Sequence, residues 1–194
     1  MRLEEEVVWS TLSWPGLERC ALWRDRRGWM LKGSAVAIYG KVPYIVTYSL
    51  ILDDAWKTRR VAVELERGGS RKSLEIMVDE GGRWWNRGKK LASLAKCVDV
   101  DLQITPCTNM LPINRLRPKV GQTVKVVAAW VRFPGLEIQP LEQEYANLGR
   151  RRYRYTSKNF TTEIRVDRFG LPKVYPGFWV RKATYRPAHT LGGR

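Results

Sequence analysis

Along most of the chain, apolar and polar residues alternate with a period of two, the pattern of strands buried on one face. "RRVAVEL" (59–65) places Val61, Val63 and Leu65 on one side, "SLEIMVD" (73–79) places Leu74, Ile76 and Val78 there, and "TTEIRVD" (161–167) turns Ile164 and Val166 the same way. Two stretches, "YIVTYSLIL" (44–52) and "TVKVVAAWVRF" (123–133), are apolar on both faces. Turn signals punctuate the strands at Arg67-Gly68-Gly69-Ser70, Asp79-Glu80-Gly81-Gly82 and Arg168-Phe169-Gly170. From about residue 17 to 180 this predicts an all-β, mainly antiparallel fold: a barrel, roll or sandwich.

Strands apolar on both faces are unusual in a one-sided sheet, so the sheet is expected to curl around an internal filling element. Two segments have helical spacing. "LEQEYANLG" (141–149) offers Leu141, Tyr145 and Leu148 with Gly149 as a stop, and "RGKKLASLAKC" (87–97) offers Leu91, Leu94 and Ala95. The chain also echoes itself. "EIMVDEGGRWW" (75–85) and "EIRVDRFGLPKVYPGFW" (163–179) both run Glu-Ile-x-Val-Asp into a glycine turn and an aromatic strand. Internal duplication explains this, and so does turn chemistry that hairpins share. No linker separates the halves. A single domain is expected over residues 1–183, with a loosely held tail over 184–194.

The composition narrows the setting. Of 194 residues 44% are apolar, and nine tryptophans and eight tyrosines can serve cores and ligand walls alike. No apolar run approaches the length of a membrane-spanning helix. The N-terminal "MRLEEEVVW" is acidic where a secretory signal would be basic, so a cytoplasmic protein is expected. Cys20, Cys97 and Cys107 have neither metal-ligand nor redox spacing and read as reduced structural thiols. The net charge of +16 invites an anionic membrane surface or nucleic acid. Arginine is scattered, however, with only "RRRYR" (150–154) dense, and a basic surface also serves solubility. Nucleic acid is the weaker expectation.

The chemistry is defined largely by what is missing. The single histidine, His189, lies in the tail, which argues against a His-based triad or a His-ligated metal. There is no G-x-S-x-G elbow, phosphate loop or CxxC pair, and no cofactor or metal is expected. The most suggestive segment is "CVDVDLQITPCTNMLPINRL" (97–116). On a strand, Asp99 and Asp101 share a face about 6.5–7 Å apart, a separation seen in glycoside hydrolases, although neighbours on one strand rarely flank a substrate. Pairing with arginines, contact with a polar ligand and catalysis all remain open for them. Thr105 just before Pro106, and Thr108 and Asn109 between Pro106 and Pro112, form either a rigid crossover loop or a polar rim able to bond hydroxyls, which with aromatic rings suits a sugar. Trp130 reads as core, and adjacent Trp84 and Trp85 must face opposite ways. Trp56 can stack on Arg59 or Arg60. Trp56, Arg59, Arg60, Trp84 and Tyr153 complete the candidate ligand set, the arginines as partners for an anionic head group.

"DVDLQITPCTNMLPINRL" resembles the signature of the glycolipid-binding family of bacterial proteins, a former domain of unknown function, usually D-V-D-L-x-x-T-P-F-T-N-T-L-P-I-R-R-L. "GLERCAL", "DDAWKTRRV", "GGRWW", "AWVRFPGLEIQPLEQEYANL", "RYRYTS" and "VDRFGLPKVYPGFWVR" extend the resemblance over nearly all of 9–181. The chain departs from the signature at Cys107, Met110 and Asn114. The resemblance implies a spiral β-roll wrapped around a helix, a carrier role for a lipid or glycolipid, and no catalytic residues. It marks Asp99, Asp101, Thr105, Thr108, Asn109, Leu111 and Pro112. The expected function is therefore non-enzymatic binding of an amphipathic ligand in a cavity of the roll. The alternatives are a glycoside or ester hydrolase using Asp99 and Asp101, or a basic nucleic-acid-binding protein.

Overall fold

In the computed structural model, which describes residues 1–188, the alternating segments become strands of one sheet. In the first half these are β1 (Arg2–Thr11), β2 (Gly16–Asp25), β3 (Gly28–Tyr39), β4 (Val42–Asp53), β5 (Thr58–Arg67), β6 (Ser70–Val78), β7 (Trp84–Asn86) and β8 (Lys89–Lys90). In the second half they are β9 (Asp99–Leu102), β10 (Thr123–Val131), β11 (Ile138–Gly149), β12 (Arg152–Ser157), β13 (Phe160–Val166), β14 (Pro172–Tyr175) and β15 (Trp179–Tyr185). The order across the sheet runs from β8 down to β1, then from β15 down to β9. The chain thus meanders outward from β1, crosses to the far edge, and meanders back until β15 pairs with β1. All pairings are antiparallel except β9 with β10. A parallel pair needs a long crossover, and this one carries the one α-helix of the described residues, α1 (Met110–Leu116).

The sheet curls because its inner face is mostly apolar along the long strands. Inward residues form rows across the strands, such as Val7, Cys20, Gly33, Tyr48, Val63 and Leu74. Edge strand β9 is drawn against β5 of the other half, where the Val100 amide donates to Thr58 Oγ1 at 3.1 Å. Phe133 meets Tyr39 and Tyr44 ring to ring across the same gap. The outer face stays open: Ile45 and Ile51 of the two-sided strand β4 are 49% and 42% exposed. The apolar outer positions of β4 are therefore not covered by a second layer.

The helix lies elsewhere than the helical spacings predict. Residues 141–149 belong to strand β11, where Leu141, Gln143 and Tyr145 all point inward. A spacing of four fits one face of a strand as well as one of a helix, and the inward glutamine masks the alternation. Within 87–97 there is only the short β8 and a single 3₁₀ turn, Ala92–Leu94. The true helix occupies the segment read as a crossover loop. Pro112 sits in its first turn, where a missing N–H costs nothing, and Met110, Leu111, Pro112 and Ile113 are buried. Strand β1 has a similar disguise, since Glu4 and Glu5 occupy buried positions. At the other end β15 continues to Tyr185, two residues past the expected boundary at 183. His189 and the rest of the predicted tail from 189 onward lie outside the described residues.

The internal echo has a local explanation. Asp79 and Asp167 each open the same turn: the aspartate amide donates to the carbonyl four residues on, its carbonyl accepts from the residue three on, and its carboxylate caps the returning amide. Asp53 opens a third copy. Two copies thus lie within the first half of the chain, which a simple two-half repeat does not generate. The third turn position has positive φ, 76° at Gly82 and 83° at Gly170, but in the third copy it is Trp56 at 65°. A bulky residue is strained there. It is held by packing, because its ring stacks on Trp29 at 4.2 Å.

Gly33 faces Tyr48 directly across β3 and β4. A Cβ at Gly33 would overlap the Tyr48 ring. Gly33→Ala is therefore expected to cost about 1–3 kcal/mol through overpacking. Urea unfolding checks this, and a loss below about 0.5 kcal/mol would show that the ring can move aside.

Candidate functional site

At one end of the roll, the loops after β1, β12 and β14 surround a cavity of about 540 Å³. Its walls are aromatic: Trp14, Trp130, Tyr155, Phe160, Tyr175, Phe178 and Trp179. The rings brace one another, Phe160 against Phe178 at 5.2 Å and Trp14 against Trp179 at 5.8 Å. Its floor is polar, with Asp101, Gln103, Thr105 and Asn109 from β9 and the segment that follows. Lys158, in the tight turn between β12 and β13, stands at the cavity wall with its ammonium 5.6 Å from the Trp130 ring.

The floor is held by a hydrogen-bond network. Thr108 Oγ1 donates to Asp101 Oδ1 at 3.0 Å, and Gln143 Nε2 donates to Asp101 Oδ2 at 2.6 Å. The Tyr145 hydroxyl donates to Asn109 Oδ1 at 3.1 Å, while Asn109 Nδ2 donates to the Pro106 carbonyl at 3.0 Å. Among the described residues no cation pairs with Asp101. Burial therefore raises its pKa from the ordinary aspartate value, against the pull of Thr108 and Gln143. Fixed donors and acceptors beneath ring faces can bind a polar group with several hydroxyls while the rings cover its apolar side.

A profile of the family described as "Putative glycolipid-binding" matches residues 6–181. The chain belongs to this family. The crystal structure of a DUF1089 family protein from Pseudomonas aeruginosa is similar, with a TM-score of 0.78 at 28% identity, covering 86% of this chain and 92% of that one. No curated protein matches.

In this glycolipid-binding family chain the two signature acids part company. Asp99 is buried and takes both Nε and Nη2 of Arg115, at 2.9 and 2.6 Å. Its pKa is nonetheless raised, because burial outweighs the arginine. Asp101 alone reaches the cavity, where Thr105 and Asn109 join it. Thr108 lies one layer behind and orients Asp101, and Leu111 and Pro112 are packed in α1. The remaining candidates lie away from the cavity. Trp56 stacks on Trp29, not on Arg59 or Arg60. Arg59 is bound to Asp53 at 2.8 Å and to the Asp79 carbonyl at 2.9 Å, and Arg60 pairs with Glu75. Trp84 is buried, its indole donating to the Cys97 carbonyl at 3.0 Å. Tyr153 packs against the smaller core cluster around Tyr145 and Tyr155.

Most of the aromatic wall has no signature in the alternation or the motifs. Trp130, assigned to the core, is half-buried and lines the cavity. The run "YPGFW" (175–179) supplies three of the wall rings. Its proline and glycine before two aromatics give a turn with rings on both sides, which is the one local signal available. A second hollow, of about 580 Å³, lies over β14 and β15 but has no aromatic wall, and its Arg181 and Arg186 are already bound to Glu5.

Proposed function

We propose that this chain is a non-enzymatic carrier of an amphipathic molecule, a lipid or glycolipid, whose polar head occupies the aromatic cavity. The observation that carries this reading is the cavity itself: edge-to-face and tilted aromatic rings over a polar floor, large enough for a sugar-sized head group. Family membership supports the ligand class. The non-enzymatic reading is supported by the separation of the acids, because Asp99 is committed to Arg115 and only one carboxyl faces the cavity. A cytoplasmic setting belongs to the same proposal and rests on three buried thiols without a disulfide.

The test is titration with a short-chain alkyl glycoside, followed by tryptophan fluorescence and calorimetry, alongside native mass spectrometry of protein from its own host. Saturable binding is expected, weakened about tenfold or more by Trp130→Ala, since a stacking face contributes about 1–2 kcal/mol. Incubation with glycoside and ester substrates should leave them intact. Absence of both a co-purifying lipid and glycoside binding would sink the carrier reading, and turnover lost in Asp101→Asn would favour the hydrolase.

A further inference from the structure

Five acids of the described residues are buried: Glu4, Glu5, Glu18, Asp99 and Asp167. Four have an arginine within salt-bridge distance, Glu4 with Arg2, Glu5 and Asp167 with Arg181, and Asp99 with Arg115. Glu18 has no such ion pair among the described residues. Its Oε1 accepts hydrogen bonds from the Tyr48 hydroxyl and from Thr105 Oγ1, the latter at 2.5 Å. Its Oε2 is buried without any hydrogen-bond partner. Beside it lie two thiols. Cys20 is two residues along β2 and so shares the inner face, and Cys107 enters from the turn before α1. A carboxylate oxygen of Glu18 and both sulfurs lie within 4.8 Å of one another, and both cysteines are 0% exposed.

We propose that Glu18, Cys20 and Cys107 form a binding site for a thiophilic divalent cation of the zinc class, set in the core directly behind the cavity floor. Two sulfurs and one carboxylate oxygen are a donor set that borderline-soft, tetrahedral zinc accepts, whereas magnesium and calcium demand oxygen alone. Two sulfurs on one zinc stand about 3.8 Å apart, given Zn–S bonds of about 2.3 Å. The ligand atoms, all within 4.8 Å of one another, already lie close to that spacing. A water can fill the fourth position. The Tyr48 and Thr105 hydroxyls orient the carboxylate from behind, as outer partners do in zinc sites. Because Thr105 also lines the cavity, the cation would tie β2 to the ligand floor. Zinc takes cysteine as thiolate, so binding displaces protons from the site and affinity rises with pH.

The test uses the full chain, reduced and stripped by chelator, titrated with Co²⁺ alone and then Zn²⁺. One equivalent of Co²⁺ is expected to give the thiolate charge-transfer band and the visible bands of tetrahedral cobalt, bleached by Zn²⁺. Zn²⁺ at a hundredfold excess over Kd should raise the thermal midpoint. Glu18→Gln is expected to weaken metal binding at least tenfold while remaining folded by circular dichroism, and Cys107→Ser to abolish the charge-transfer band. Cys97→Ser should change nothing, because that thiol lies outside the cluster. A folded, reduced wild-type protein that takes up no Co²⁺ overturns the proposal. So does cobalt binding that survives loss of both Cys20 and Cys107, or a Cys20–Cys107 disulfide in protein freshly isolated from its host. The wild-type titration decides the matter even if the cysteine variants fail to fold, and none of these outcomes depends on glycoside binding.

Discussion

Replacing Arg181 by alanine is expected to destabilise the protein by about 3–5 kcal/mol at neutral pH, because it leaves two buried carboxyls without their shared cation. Arg181 Nη1 lies 3.1 Å from Glu5 Oε1 and 2.7 Å from Asp167 Oδ2, in a site almost closed to water. The same guanidinium donates to the carbonyls of Leu171 at 2.7 Å and Pro172 at 3.0 Å. One side chain therefore joins β1, β15 and the turn at Asp167. Burial, and then the neighbouring Asp167, already raise the pKa of Glu5 against the pull of Arg186. Without Arg181 that rise grows, so the penalty of the variant should shrink as the pH falls and Glu5 becomes neutral. Urea unfolding of Arg181→Ala at neutral and mildly acidic pH measures both effects. A variant within about 1 kcal/mol of wild type at neutral pH would mean that water or Arg186 replaces the lost charge.

Glu18 is expected to give the chelator-treated protein an inverted pH response. Burial lifts its pKa from 4.5 to about 8, against the hydrogen bonds from Thr105 and Tyr48. The folded state then holds a proton that the unfolded chain releases near 4.5, so this group's contribution declines as the pH rises from about 4.5 to about 8. A shift of that size corresponds to on the order of 4–5 kcal/mol. Glu18→Gln should match wild type near pH 4.5 and exceed its stability by several kcal/mol above pH 8, because the amide has no charge to desolvate. Parallel stability curves for the two proteins across that range would refute the shifted carboxyl.

Strand type and fold class were legible because they depend on alternation, which single-sided burial enforces at every strand. The helix was illegible for the same reason. Its seven residues are too few to show a helical period, and its inner face is fixed by the crossover between parallel β9 and β10. The floor of the site was readable from "TPCTNM", since threonine and asparagine beside prolines announce a rigid polar turn. The aromatic wall was not. Its rings come from five separate strands and two loops, and only the curl of the sheet brings Trp14 to Trp179 and Phe160 to Phe178. The arginines misled in the other direction. Charge invites a ligand, but Arg59 and Arg60 are each answered by an acid of the chain itself.

The pairing of β1 with β15 also sets an order of events during synthesis. Hairpins β1 through β8 need only neighbouring residues, so that arm can form while later segments are still being made. Its innermost strand then presents a bare edge along Glu6 to Thr11 until the partner residues Trp179 to Tyr185 arrive. An unpaired edge recruits strands from other chains. Buried Glu5 in β1 makes that edge a poor template for strangers, because only β15 brings the matching arginine. The ion pair that stabilises the finished sheet also works as a lock on its last step, rejecting strands that lack the key.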